Sequence, residues 1–278
     1  MSELPEQDAE VESLWRTYLT EGEIEHERRQ RRFFRLLPGD RRCKNCYAPF
    51  DGAGSYVVRA LYGKEPSTLN PRLCNICEKF ARRHQGGVDI ELSLMFADVR
   101  GSTEIAEKMS PNEFGQLINR FYDTATKIMV RSDALIDKII GDQVAGIFVP
   151  GFVGPNHAAQ AIEAGEEILR ATGHGRPEGP WIPLGAGVHT GVAFVGSVVS
   201  QEGSSDITVL GDVPNTTARL ASSAGVGEIL ISEASYEEAD LPSLKSRNLQ
   251  LKGKSSGIRA FVLPVVAESD KREGLEQP

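Results

Sequence analysis

The sequence predicts an α+β fold: one mixed sheet on a βαββαβ order with extra strands, preceded by a helical segment and a cysteine-bearing one. Three observations carry this. A strand at 91–97 is soon followed by Ser110-Pro111-Asn112-Glu113, which reads as an N-cap, a proline at N1 and a capping-box glutamate. The segments "ALIDKII" and "VAGIFVP" flank Gly141-Asp142, a tight hairpin signal. All four cysteines come earlier, as the C-x-x-C pairs Cys43/Cys46 and Cys74/Cys77 with 27 residues between them.

Within residues 8–20, Val11, Leu14, Trp15, Tyr18 and Leu19 fall at i, i+3, i+4, i+7 and i+8, one apolar helical face. Residues 23–37 continue as an arginine-rich helix that Pro38-Gly39-Asp40 ends. The cysteine segment reads as loop. After the strand at 91–97 come a helix to about Arg131, the hairpin, a helix from about Pro155 to Ala171 and the strand "LGAGVHTGVAFVGSVV". "ITVLG" is a short strand and 213–223 a helix beginning at Pro214; a strand near "EILIS", a short helix and strands near 245–252 and 258–263 complete the chain. No internal repeat is present. This order implies helices packed on one face of the sheet.

At 278 residues the chain can form one large domain or two modest ones. Its net charge of −8 is uneven: residues 1–90 hold 15 Lys+Arg against 14 Asp+Glu, and the remainder 16 against 25, with the change near Gly86-Gly87. There is no 18-residue apolar run, and "MSELPEQDAEVESLW" is acidic where a signal peptide is basic and then apolar, so a cytoplasmic location is expected.

Asp98 ends a buried-looking strand and Asp142 sits in the hairpin turn. Singly, each has an ordinary reading, as a helix N-cap or as the aspartate of a turn. If the strands are neighbours, the two carboxylates converge, and such a pair wants a cation. Two oxygen donors with open positions suit Mg²⁺ or Mn²⁺. The loop Val99-Arg100-Gly101-Ser102-Thr103 opens a short helix near Glu104, whose backbone N–H groups would cradle phosphate.

In order, "FADVRGST", "DKIIGDQ" and "TVLGDVPNTTAR" resemble the successive signature motifs of class III nucleotidyl cyclases, over about Leu92 to Ala267. The resemblance implies a ferredoxin-like βαββαβ core and a head-to-tail homodimer with active sites at its interface. Asp98 and Asp142 match the metal-binding aspartates, Lys138 the lysine that contacts the purine, and Thr208 the second base-reading residue. Asn215 and Arg219 match the pair that orients the ribose and stabilises the transition state. Metal residues would come from one subunit and the other four from its partner, so a monomer should be inactive. Adenine offers an acceptor at N1 and a donor at N6, which complement a lysine and a threonine hydroxyl, so ATP is expected over GTP. The implied reaction is two-metal cyclisation of ATP to 3′,5′-cyclic AMP and pyrophosphate, in intracellular signal transduction. Val213-Pro214 departs from the family's usual Thr-Val, and proline at N1 suits a helix start. His189 reads as a satisfied structural histidine.

The resulting division is a helical segment at 1–40, a four-cysteine module at 41–87, the cyclase domain at 88–267 and a disordered tail at 268–278. Two C-x-x-C pairs in a cytoplasmic chain point to a tetrathiolate site, structural Zn²⁺ first, an iron–sulfur cluster second and a redox dithiol third. The 27-residue gap exceeds the usual span of about 15–20. Seven arginines within 28–42 suggest nucleic acid, but interspersed glutamates and overall acidity favour a solvated helix face. Phe33, Phe34, Leu36 and Leu37 would pack that helix on the metal module or a second chain. The alternative function is a catalytically silent nucleotide sensor, or a zinc-dependent nucleic-acid-binding or scaffold protein. The regulatory partner is not legible.

Overall fold

A computed structural model of the chain describes residues 6–21, 25–199, 205–250 and 257–266; the tail expected at 268–278 lies outside them. Helix α1 (Glu6–Arg16) runs on through a π-helical turn at Thr17–Glu21, and α2 (Glu25–Leu36) follows. The cysteine segment, expected as loop, contains α3 (Gly52–Tyr62) and α4 (Asn75–Arg83). Eight strands then form a single sheet: β1 (Gly86–Val99), β2 (Leu135–Ile140), β3 (Gln143–Phe148), β4 (Leu184–Val199), β5 (Ser205–Leu210), β6 (Glu228–Ser232), β7 (Lys245–Leu249) and β8 (Ile258–Pro264). The remaining helices are α5 (Ser102–Glu107), α6 (Pro111–Arg131), α7 (Pro150–Val153), α8 (His157–Ala171), α9 (Asp212–Ser223) and α10 (Glu233–Glu238).

The strand order is β2-β3-β1-β4-β6-β8-β7, with β5 paired to β4. Among the described residues only β4 and β6 run parallel, joined through β5 and α9. The expected capping box is present: Ser110 accepts from the Glu113 amide while the Glu113 carboxylate accepts from the Ser110 amide. It fixes the start of α6, which packs Phe121, Ala125 and Ile128 under the sheet.

Alternation along β1 divides the core. Met95, Ala97 and Val99 face α6 and α8. Ile90, Leu92, Leu94 and Phe96 face the other way, against Trp15, Tyr18 and Leu19 of the first helical segment, Ala81 of α4, and Val213 and Ala221 of α9. The expectation of helices on one face is therefore corrected. A sheet this apolar on both sides must be covered twice, and the N-terminal segment supplies part of the second layer. Trp15 is fully buried there and donates its indole N–H to the His84 carbonyl at 2.9 Å.

Helix α9 begins at Asp212 after Gly211, two residues earlier than expected. Pro214 thus lies at N3 rather than N1, still inside the first turn, where its missing N–H deprives no carbonyl of a partner. Among the described residues no helix is long and apolar enough to cross a membrane.

Candidate functional site

Asp98 pairs with Gln143 across the β1–β3 ladder, and the Val99 amide donates to the Asp142 carbonyl at 3.1 Å. The two aspartates thus sit together at one end of the sheet. Gly141 adopts φ 63° in the turn, a conformation that glycine reaches without penalty. The Tyr122 hydroxyl donates to the Gly141 carbonyl and pins the turn to α6. Burial pushes the Asp98 carboxyl above its ordinary range; Arg100 opposes this and Asp142 adds to it. Arg100 holds the Asp98 carboxylate with one guanidinium nitrogen and donates to the Ser222 carbonyl at 2.7 Å with another.

The loop after Asp98 narrows the expected phosphate cradle. The Val99 amide is taken by Asp142, and the Arg100 amide donates to the Pro183 carbonyl at 2.8 Å. The amides of Gly101, Ser102 and Thr103, at the N-cap and first turn of α5, are, with that of Glu104, the ones with no intrahelical carbonyl to meet.

Lys138 lies in β2, where the register against β3 shifts between Ile136 and Ile139. Two residues of β2, Asp137 and Lys138, there stand opposite the single Ala145 of β3, a bulge that breaks strict alternation. Asp137 is 6% exposed and accepts a hydrogen bond from the Thr208 hydroxyl at 3.1 Å. This joins β2 to β5. Sequence reasoning passed over Asp137; its signal was an acid inside the apolar run of "ALIDKII".

Asn215 and Arg219 lie four apart on α9. Asn215 is exposed and donates to the Gly211 carbonyl at 3.1 Å, whereas Arg219 is half-buried and makes no ion pair among the described residues. His189 shares a hydrogen bond of 2.9 Å with Ser232, in keeping with its structural reading.

The four cysteines converge. Their Sγ atoms all lie within 4.8 Å of one another, every one is buried, and none is in a disulfide. Cys43 and Cys46 come from a turn closed by the Cys43 amide on the Ala48 carbonyl. Cys74 caps α4, its Sγ accepting from the Cys77 amide at 3.4 Å. The gap between the pairs is long because α3 is inserted in it. Burial pulls the Lys64 ammonium down, but the four cysteines beside it push it above its usual range.

A cavity of about 690 Å³ opens between the cysteine region and α6. Asp137, Lys44 and Arg72 line it, whereas Asp98 and Asp142 do not.

The model of the adenylate and guanylate cyclase catalytic domain matches residues 89–263. An adenylate cyclase of Anabaena cylindrica is 29% identical over 183 residues, 61% of this chain and 36% of that protein. Adenylate cyclase 1 of Rhizobium meliloti is 32% identical over 135 residues, 47% of this chain and 20% of its own length. The chain thus spans well under half of these relatives. Among solved structures, the guanylyl cyclase Cya2 superposes with a TM-score of 0.57 at 26% identity, over 66% of this chain and 96% of that one. The adenylyl cyclase CyaB of P. aeruginosa gives 0.55 at 27% identity, over 63% and 94%.

Proposed function

Since the chain belongs to the adenylate and guanylate cyclase catalytic domain family, we propose that it is an adenylate cyclase acting as a homodimer in intracellular signalling, forming cyclic AMP and pyrophosphate from ATP. The observation that carries the choice of base is the hydrogen bond from Thr208 to Asp137. It commits the hydroxyl proton inward, so the oxygen presents lone pairs to a ligand. Those lone pairs accept from the N6 amine of adenine and repel the O6 carbonyl of guanine.

The carboxylate pair fits a divalent cation. Asp98 is largely buried, its ionisation is disfavoured by burial and by Asp142, and Arg100 supplies only one partial counter-charge. Asp98 and Asp142 would hold two Mg²⁺ or Mn²⁺ ions, which when bound lower the pKa of the ribose 3′-hydroxyl and neutralise the triphosphate. The chain's own residues do the rest. Lys138 and Thr208 read the purine edge, Asn215 orients the ribose, and the amides of Gly101, Ser102 and Thr103 receive phosphate oxygens. Arg219, with no competing carboxylate among the described residues, meets the charge that builds on the α-phosphate as the 3′-oxygen attacks.

Lys138 lies in β2 and Asp142 four residues on, in the turn that leads into β3. As the family resemblance implies, the site is shared between subunits, each hairpin giving its acid to one site and its lysine to the other. The test is product formation by the purified protein with ATP and GTP in parallel under Mg²⁺ or Mn²⁺. Cyclic AMP as the dominant product, from the dimer alone, is the expected result; equal turnover of GTP would overturn the base assignment.

A further inference from the structure

We propose that Cys43, Cys46, Cys74 and Cys77 hold one tetrahedral Zn²⁺ ion, and that the metal-loaded turn clamps the two strands carrying Lys138 and Thr208 in their base-reading geometry. The metal assignment stands on the cysteines alone; the clamp's effect on nucleotide rests on the reading of the site given above.

The sulfur geometry selects one ion. Four thiolates about 2.3 Å from a central Zn²⁺ stand about 3.8 Å apart along a tetrahedron's edges. Cys46 and Cys74 Sγ are separated by 3.7 Å, and all four sulfurs fit within 4.8 Å. A cluster of several irons, which places sulfide bridges between metals held by different cysteines, would spread its ligands further. The sulfurs are also oriented by donors, as ligating atoms are. Cys43 Sγ accepts from the Cys74 amide at 3.2 Å, and Cys77 Sγ from the Asn45 side-chain amide at 3.4 Å.

The clamp is built from residues inside and beside the same turn. Lys44, between the first two cysteines and 7% exposed, pairs with Asp206 and donates to the Ile207 carbonyl at 2.7 Å. Asn70 donates to the Ser205 carbonyl at 3.0 Å. On the other side, the Tyr47 hydroxyl donates to the Ala134 carbonyl, directly before β2. These contacts land on residues 205–207, which lead into Thr208, and on the entry to the strand that holds Asp137 and Lys138. Tyr47 itself sits at φ 63°, a conformation that a bulky residue keeps only when its surroundings enforce it. Ligation of Cys43 and Cys46 supplies that enforcement, so the ion, the turn and both strands form one mechanical unit.

The experiment uses the full chain purified under reducing conditions. Zinc and iron are counted by mass spectrometry, and Co²⁺ exchange is followed by its sulfur-to-metal charge-transfer band. One zinc per chain and a tetrahedral cobalt spectrum are expected; less than about half a zinc per chain, or iron accompanied by sulfide, would overturn the metal assignment. Lys44→Met and Asp206→Asn then test the clamp. Each should keep its zinc, raise the KM for ATP about fivefold or more with kcat within about twofold, and relax the preference for ATP over GTP. The double variant should be no worse than either single one, and Lys44→Arg should restore KM. Unchanged KM and base preference in zinc-loaded Lys44→Met would refute the clamp. Hydrogen exchange across 205–210, expected to quicken in Lys44→Met, decides the same point without turnover. A wild-type protein that cyclises nothing would count against the site reading and leave both of these readouts intact.

Discussion

Removing the Asp137 carboxylate should change which nucleotide the protein accepts more than how well it folds. In Asp137→Ala, the Thr208 hydroxyl loses the acceptor that holds its proton inward at 3.1 Å. It becomes free to rotate and donate to guanine O6. A hydrogen bond to a charged group contributes roughly 1.5–3 kcal/mol. Thr208 is half-exposed, so the low end applies, and about 1.4 kcal/mol of lost discrimination is about tenfold in the ratio of kcat/KM for ATP to that for GTP. The truncation opens into the existing cavity of about 690 Å³, on whose wall Asp137 lies, so it creates no sealed void. The assay is steady-state cyclisation of both nucleotides, with melting temperature as the folding control and Thr208→Val, which should lose ATP turnover without gaining GTP, as the companion. A ratio within about twofold of wild type in a folded Asp137→Ala protein would refute the assignment of the hydroxyl as an obligate acceptor.

Arg219→Ala should lower kcat by about 10²–10³ while nucleotide binding, followed by equilibrium titration, stays near wild type; unimpaired kcat would remove Arg219 from the mechanism. Asp98→Asn should abolish turnover yet raise the melting temperature of the metal-free protein at neutral pH. The sign follows from its raised pKa: the stabilisation from Asp98 is fully present below the unfolded value of about 3.9 and is lost as pH rises through the folded one. Wild type should accordingly gain thermal stability from Mg²⁺ at neutral pH, and Asp98→Asn should not; equal shifts in both would overturn the metal role. Trp15→Ala, at a fully buried position that also donates to His84, should cost about 3–5 kcal/mol in denaturant unfolding. A loss below about 1 kcal/mol would mean that the N-terminal layer contributes little to the sheet's stability.

Patterns that obey a local rule were readable before the structure. β4 occupies the residues of "LGAGVHTGVAFVGSVV", because a continuous apolar run with small residues can only be an interior strand in this context. The capping box and the glycine turn are likewise where local chemistry puts them. What escaped notice depends on distant partners. Helix α3 opens on Gly52-Ala53-Gly54-Ser55, a poor helix former, and stands because Val58 and Tyr62 pack into the cluster around Phe34 and the cysteines. Helix α4 is capped by a cysteine sulfur, which no propensity rule anticipates. Arg100 was legible as part of a loop but not as the partner of Asp98, since its other guanidinium contact is to Ser222, more than a hundred residues away.

The same hairpin explains why a cysteine turn matters to a site it does not enter. Its tip is pinned to α6 by Tyr122, and its bulged base is joined to β5 through Asp137 and Thr208. Ala134, one residue before β2, is held by Tyr47 of the cysteine turn. Between those anchors β2 is only six residues long and already spends one of them on a bulge. A strand so short has little length over which to absorb a shift at its entry, so displacement at Ala134 reaches Lys138 and Asp142 together. In a dimer with shared sites those two residues serve opposite active sites. On the proposed reading, loosening one cysteine turn would therefore disturb purine reading in one site and cation binding in the other, so the pair of sites would respond as a unit.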